Sequence, residues 1–370
     1  MDKKPGKSLL ERILWIATMA VAFLLLIAIF SPLFSPAKMW IPAFFGLAYP
    51  YLAIVAVLCS VVLFFINYKK ALVPLVVLLA GFGPFSHTFK FTSSTAAFSS
   101  QETDLKILSQ NVQLFGVYDA SGKNTRDSVL ELIDIEDPDI ACFQEFYNHD
   151  SVSNKAIHDF MSVGHFQDYF VTPYSRVGKN GYLGMILFSR FPIVDKGVIK
   201  NKSGSGKSVF AIWCDLAIEE DTVRVYNIHL QSIGFTSTEE SLFAEDNNKK
   251  ELENKSKATV RKLKAAFVRR AGQVDMLSAH IKKCKNPVFL AGDFNDTPVS
   301  HTYRHLSSDL NDAFLKSGTR GMGKTYNGPF PSFRIDYIFY PDGFESAEFK
   351  IMNYRYSDHF PISCRFRKTS

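Results

Sequence analysis

Three long apolar runs open the chain, at residues 13–34, 41–66 and 71 to about 89, and nothing like them recurs afterwards. Each reaches the roughly 20 residues that a helix needs to cross the hydrocarbon core of a bilayer. The third run is interrupted by Pro74, Gly81, Gly83 and Pro84, which membrane helices tolerate better than soluble ones do. The pattern predicts three transmembrane helices. A signal peptide is the competing reading of the first run, but it would leave the other two without an explanation. Basic residues set the expected orientation. Lys3, Lys4, Lys7 and Arg12 precede the first run, Lys69 and Lys70 separate the second from the third, and the first connection offers only Lys38. Positive flanks stay in the cytoplasm, so three crossings would put all that follows on the exterior, periplasmic side of a multi-pass cell-membrane protein. If the third run does not cross, the remainder is cytoplasmic.

Beyond residue 104 the pattern changes. Apolar stretches suited to buried strands lie at 105–112, 139–143, 182–189, 193–199, 209–218, 223–231, 288–291, 335–340 and 362–366. A helix carries Val129, Leu132 and Ile133 on one face. A longer one carries Val260, Leu263, Phe267, Ala271, Val274, Leu277 and Ile281 at helical spacing. Many strands with a few interspersed helices predict an α/β sandwich, two packed sheets with helices outside. The expected organisation is a membrane anchor over residues 1–90, a small, polar linker over 91–103, and one globular domain over 104–370. A polar stretch at 234–257 is expected to be a solvated loop entering the long helix, or alternatively a mobile flap.

Composition adds little. The chain has 370 residues, 47% hydrophobic, with net charge +6. That charge suits an anionic substrate, but it equally suits lysines that fix membrane orientation. Cys59, Cys142, Cys214, Cys284 and Cys364 show no C-x-x-C spacing and read as free, mostly buried thiols.

Chemistry gathers at the ends of the apolar strands. Asn111 ends ILSQN, Glu145 ends DIACFQE, and His229 lies in VYNIHLQS. Asp293 and Asn295 follow in VFLAGDFND, Asp336 opens RIDYIFY, and Asp358 and His359 precede the last strand in YSDHFPI. A carboxylate just past a buried strand is costly unless it is paired or binds a metal, and strand ends are where open sheets gather their sites. Six segments drawing only on Asn, Glu, Asp and His point to oxygen-rich metal binding with proton transfer.

These segments, above all GDFN and SDHFP with the supporting QE, resemble the endonuclease/exonuclease/phosphatase family over about residues 104–367. The resemblance implies a four-layer α/β sandwich and a metal-dependent hydrolase of phosphate esters, using Mg2+ or Mn2+. It further implies that Glu145 is the main metal ligand, with Asn111 beside it and Asp358 completing the metal shell or the water network. Asp293 would orient or deprotonate the attacking water, and the resemblance leaves open whether the aspartate or the histidine is the base. Asn295 and His229 would contact the phosphate, and His359, backed by Asp336, the scissile phosphate. This chain has Gln113 where some family nucleases carry a charged side chain. It has no certain counterpart of the phosphate-contacting tyrosine of the abasic-site enzymes, for which Tyr174 and Tyr182 are candidates.

Other signals in the chain are weaker. SGSGKS at 203–208 resembles the end of a P-loop but has Asn201 in place of the first glycine and lies between strands. His87, His149, His158, His165, His280, His301 and His305 lack metal-ligand spacing and read as surface or packing residues. Arg269 and Arg270 are expected to solvate the long helix, with contact to a phosphate as the alternative. Three functions remain open: a phosphodiesterase or phosphatase acting on a lipid headgroup or small phosphoester, a membrane-tethered nuclease of DNA or RNA, and a non-catalytic binding module. No protein partner is readable, and the bilayer is the one expected association.

Overall fold

A computed structural model describes residues 9–94, 97–98, 104–117, 124–149, 155–177, 181–201, 209–234, 249–328 and 333–369. The P-loop-like segment 203–208, most of the polar stretch at 234–257, part of the 91–103 segment and the Tyr174 side chain lie outside the described residues.

The apolar region forms α1 (Leu9–Phe30), α2 (Ile41–Leu47), α3 (Tyr49–Ala80) and α4 (Phe82–Thr88). By length and composition two stretches could cross a membrane, Glu11–Leu33 and Tyr49–Ala80, where the sequence pattern has three runs. The second and third runs share α3, but α3 is not straight. Its helical backbone breaks at Asn67 (φ −159°, ψ 93°), and the Tyr49 hydroxyl at its start donates to Gly81 O just past its end, at 3.4 Å. A straight helix of that length would hold these ends nearly 50 Å apart by its rise per residue, so α3 is a helical hairpin. Its legs, residues 49–66 and 68–80, lie beside α1. At the hairpin tip Lys70 Nζ meets Glu11 Oε1 at 2.7 Å and stands 5.3 Å from the Trp15 ring. At the other end Ile29, Tyr49, Ala53 and Val77 share one apolar cluster. The bundle is inverted relative to a soluble one: Ile16, Phe23, Phe64, Phe65, Val76 and Leu79 point outward. Only 28% of either candidate span is buried.

The remainder is two six-stranded mixed sheets. The first contains β1 (Leu105–Asn111), β2 (Ile140–His149), β3 (Asp168–Val177), β4 (Gly181–Ser189), β11 (Phe344–Ile351) and β12 (Ile362–Lys368), in the order β11-β12-β1-β2-β4-β3. The second contains β5 (Ile193–Lys200), β6 (Val209–Ile218), β7 (Asp221–His229), β8 (Val288–Asp293), β9 (Asn311–Asp312) and β10 (Asp336–Tyr340), in the order β5-β6-β7-β8-β10-β9. Each sheet holds one parallel pair, β1 with β2 and β7 with β8. A parallel pair needs a crossover: α5 (Arg126–Glu136) supplies the first and α7 (Lys249–Ile281) the second. The expected strands are present. β3, β9 and β11, not anticipated from the pattern, complete sheet edges, and the long helix begins at Lys249, well before its apolar stripe.

Alternation along the strands builds the layers. Ile107, Ile140, Cys142, Val225, Phe289, Ala291 and Ile338 meet in the core between the sheets. The opposite faces bury Phe143 and Phe188 with α5 and α6 (Lys155–Val163), and Tyr226 and Leu290 with α7. The result is the expected four-layer sandwich.

Arg270 departs from expectation. Arg269 is exposed, but Arg270, one turn from Phe267 and Val274, faces inward and is 1% exposed. Its Nε lies 3.3 Å from Asp296 Oδ2, and one of its terminal nitrogens donates to Gln231 O at 2.8 Å. It therefore fastens together the segments that follow β7 and β8.

A polar bridge interrupts the dry inter-sheet core. Gln144 Nε2 donates to Asn227 Oδ1 at 2.7 Å and to Ser109 Oγ at 3.2 Å, while Asn227 Nδ2 donates to Phe143 O and Ile186 O at 3.0 and 2.8 Å. Replacing one member of such a network leaves its partners desolvated and unbonded, a cost of about 1–3 kcal/mol. Asn227→Ala is therefore expected to lower unfolding free energy by ~2–3 kcal/mol, measured by denaturant titration of the full chain in detergent. A change below ~0.5 kcal/mol would show that the bridge is dispensable.

Candidate active site

The site is the top rung of the inter-sheet core. Ile107 and Ser109 of β1 face the opposite sheet, and the same alternation carries Asn111 there. In β7, Val225 and Asn227 lead to His229; in β8, Phe289 and Ala291 lead to Asp293; in β10, Asp336 stands in register before Ile338. His229 pairs with Asp293 across β7 and β8, and Asp293 with Asp336 across β8 and β10. Period-two geometry thus aims four polar side chains into one space.

Glu145 arrives by a different device. The register of β2 against β4 shifts between Phe143 and Phe146, and Glu145 takes a left-handed backbone, φ 53°. Phe143 and Phe146 consequently both enter the outer core, and Glu145 is turned out of the strand's alternation. Bulges of this kind re-aim side chains beside active sites. Asn295 is also left-handed, φ 53°, and the chain before it needs a glycine. Gly292 sits at φ 145°, where a Cβ would collide with Ile228 O.

Asp293 is the hub. Its Oδ2 accepts from Asn111 Nδ2 at 3.2 Å and Asn295 Nδ2 at 2.8 Å, and its Oδ1 from the Asn295 backbone N–H at 2.8 Å. His229 Nε2 and His359 Nε2 lie 3.6 and 3.7 Å from Oδ2. The other His359 nitrogen, Nδ1, is 3.0 Å from both Asp336 oxygens, which orients the ring and leaves Nε2 facing the cleft. Burial pushes the Asp293 carboxyl up to about 7, with His359 pulling it down and Asp336 pushing it up. Burial works against charge on His359, but Asp336 and Asp293 outweigh it and the imidazole is raised well above its ordinary value.

Glu145 Oε1 is 3.6 Å from His229 Nε2. Burial raises the Asp358 carboxyl, and Glu145 adds to the rise, so these two carboxylates repel each other across the cleft. Oxygen donors crowded in this way fit a hard divalent cation. Glu145 and Asp358 offer carboxylate oxygens beside the Asn111 side-chain oxygen, which accepts from the Gln113 backbone N–H at 3.1 Å. Ligand atoms of Asp293, Asp336 and His359 also lie within 4.8 Å of one another. There, however, the imidazole already compensates the carboxylates, and the group reads better as a proton-handling pair beside a base.

All eight expected residues therefore gather at one end of the two sheets, with two qualifications. Both donor directions of Asn295 Nδ2 are used inside the site, on Asp293 and on Leu230 O at 3.2 Å, so a phosphate contact would require one of those bonds to open. The Tyr182 hydroxyl is engaged by Arg176 at 3.3 Å. Three further residues support the site: Gln113, noted in the sequence only as a departure from the family pattern, and Ser357 and Tyr326, which the sequence did not single out. Gln113 accepts from the Asp358 backbone N–H at 3.3 Å, Ser357 Oγ donates to Asn111 O at 2.8 Å, and Tyr326 stacks edge-on against His359 at 5.5 Å. Ser357 adjoins the SDHFP motif; Tyr326 had no signal, because its approach is a single bridge between distant segments.

Comparison with known proteins agrees with this architecture. No curated protein matches the chain. Solved structures with a similar fold include an endonuclease/exonuclease/phosphatase from Beutenbergia cavernae, 17% identical with TM-score 0.53, covering 73% of this chain and 72% of that one. A family protein from Bacteroides thetaiotaomicron is 19% identical with TM-score 0.52, covering 72% and 96%. The catalytic domain of human Nocturnin, with bound sulfate, is 22% identical with TM-score 0.51, covering 74% and 97%. At these identities the likeness is one of fold. A domain of unknown function matches residues 11–88. The sequence profile of the Endonuclease/Exonuclease/phosphatase family matches residues 108–359, about two thirds of the chain and every segment of the cleft, and the protein belongs to that family.

Proposed function

We propose that the protein is a membrane-anchored, divalent-metal-dependent hydrolase of phosphate esters. The observation that carries this reading is the convergence of Asn111, Asn295, His229 and His359 on the buried Asp293 carboxylate, with Glu145 and Asp358 beside it. A bound Mg2+ would neutralise phosphate charge and acidify a bound water. Glu145, Asn111 and Asp358 would hold it.

The remaining work falls to the chain's own side chains. Asp293 is held by three hydrogen bonds with Oδ2 toward both histidines, placed to orient a water and take its proton. His359, charged and fixed by Asp336, donates from Nε2 to a phosphoryl oxygen, and His229 donates beside it. Preorganised donors aimed at developing charge are the largest single source of such catalysis. Hydrolase function as such is the family's. A pure binding module would not need a carboxylate buried against two histidines.

Membrane insertion is part of the same proposal. The outward-facing apolar side chains of α1 and α3 form a belt that lipid would cover, and the Asn67 hairpin gives three legs in the space of two helices. Residues 68–80 span about 20 Å, and α4 follows them toward the catalytic domain. Lys69 and Lys70 at the hairpin tip lie at the same end as Glu11 and Arg12, opposite Gly81 and Tyr49. The basic end would remain cytoplasmic and the catalytic domain exterior.

Chelation should abolish hydrolysis of a chromogenic phosphodiester by the full chain in detergent, and Mg2+ or Mn2+ should restore it; undiminished turnover by metal-stripped protein would refute metal dependence. His359→Ala and Asp293→Asn should each lower kcat at least ~100-fold with the thermal transition retained, and near-normal turnover in either would overturn its role. A reporter pair fused after Lys90 should give alkaline phosphatase activity and no green fluorescence; the reverse result would place the domain in the cytoplasm.

A further inference from the structure

The helices dock on the end of the sandwich where the catalytic strands finish. Val299, in the loop that carries Asn295, is 2% exposed and packs among Ala22, Leu25, Tyr49 and Val77. The approach is close: Ser31 Oγ donates to Val299 O at 3.4 Å, and a Cβ on Gly46 would stand 2.5 Å from that oxygen. Before β10, Arg334 donates to His87 O of α4 at 2.7 Å. Lys90, on leaving α4, pairs with Gly321, in the segment that runs on to Tyr326 and its bridge with His359. Three short connections therefore run from the helix ends to Asn295, Asp336 and His359.

Their lengths bound the geometry. An extended chain gains at most ~3.6 Å per residue, so Asn295 lies within ~15 Å of Val299. The headgroup layer beyond the hydrocarbon core is itself about 5–8 Å deep on each side. A second feature marks the same level. Trp40, in the connection before α2, lies 5.0 Å beneath Lys264 Nζ of α7, and Phe44 packs edge-on against Phe267 of α7 at 5.2 Å. Tryptophan and lysine together are an interfacial pair. The strand ends that carry the site thus lie at the end of the domain on which the helices dock.

We propose that the phosphoester hydrolysed is that of a lipid headgroup in the bilayer that holds the helices. The inference deepens the phosphoesterase reading of the cleft and depends on it and on insertion of the helices. A headgroup reaches a site at that end of the domain by lateral diffusion, whereas a nucleic-acid strand would have to enter between the domain and the membrane surface. In the reaction a water oxygen forms the new bond to phosphorus and one ester P–O bond breaks. One water proton ends on the leaving oxygen as an alcohol, and the other stays on the new phosphate until released to solvent.

The test is the full chain reconstituted in phosphatidylcholine vesicles containing phosphatidylglycerol or phosphatidylethanolamine, with Mg2+. Headgroup or phosphorylated-headgroup release should follow the mole fraction of substrate lipid in the surface and vanish in His359→Ala. It should exceed turnover of the matching water-soluble glycerophosphodiester at least ~10-fold, because binding energy from the remote acyl part is used at the reacting centre. Metal-dependent hydrolysis of the soluble diester or of a single-stranded DNA oligonucleotide, with none of either lipid, would overturn the inference and leave the phosphoesterase reading standing. Hydrolysis of none of them would overturn both.

Discussion

The bond between Gln144 and Asn227 crosses the apolar core between the sheets, and the candidate site stands one rung above it. Two sheets that met only through apolar side chains could slide by a fraction of an ångström at small cost, since dispersion and burial are non-directional. A buried amide pair that also satisfies Ser109, Phe143 O and Ile186 O has one good arrangement. It fixes the register between the halves, and with it the distance between residues supplied by the first sheet and those supplied by the second. Asn111 and Glu145 belong to one half, and His229, Asp293 and Asp336 to the other. The Asn111–Asp293 bond then crosses between the same two sheets at the site itself.

The two halves also contribute in a similar way. Each has a parallel pair joined by a helical crossover, and each ends that pair in polar residues. The second half is the more heavily braced: Arg270, from the middle of the crossover helix, ties Gln231 O and Asp296 together. A buried guanidinium survives only where its donors are used. Here they are used on the two segments whose separation sets how far His229 stands from Asp293.

Much of this was legible in the sequence because the strands that carry the site are its most apolar ones. Inner-face alternation runs unbroken from Ile107 to Asn111 and from Phe289 to Asp293, so polar residues at the ends of those runs announce themselves. The edge strands were not legible for the opposite reason. β3 and β11 are half-exposed and mix Tyr, Ser, Glu and Lys with their apolar positions, so neither period dominates. Arg270 was misplaced because charge at helical spacing normally faces water, and only the tertiary partner Asp296 reverses that. The hairpin at Asn67 shows the converse limit. The three apolar runs were plain, but the turn between the last two is one non-helical residue without glycine or proline, which no local punctuation predicts.

The docking of Val299 and Arg334 against the helices changes what the first ninety residues are. A polypeptide begun after them would carry an open greasy seat around Val299 and Phe267. It would also carry an arginine deprived of its His87 acceptor, although Asp312 would still neutralise it at 2.6 Å. Such a fragment would be expected to stick to itself or to detergent through that seat. Its loop from Asn295 to Ser300 would lose a wall rather than a leash, so the N-terminal helices are better regarded as the fifth layer of the fold.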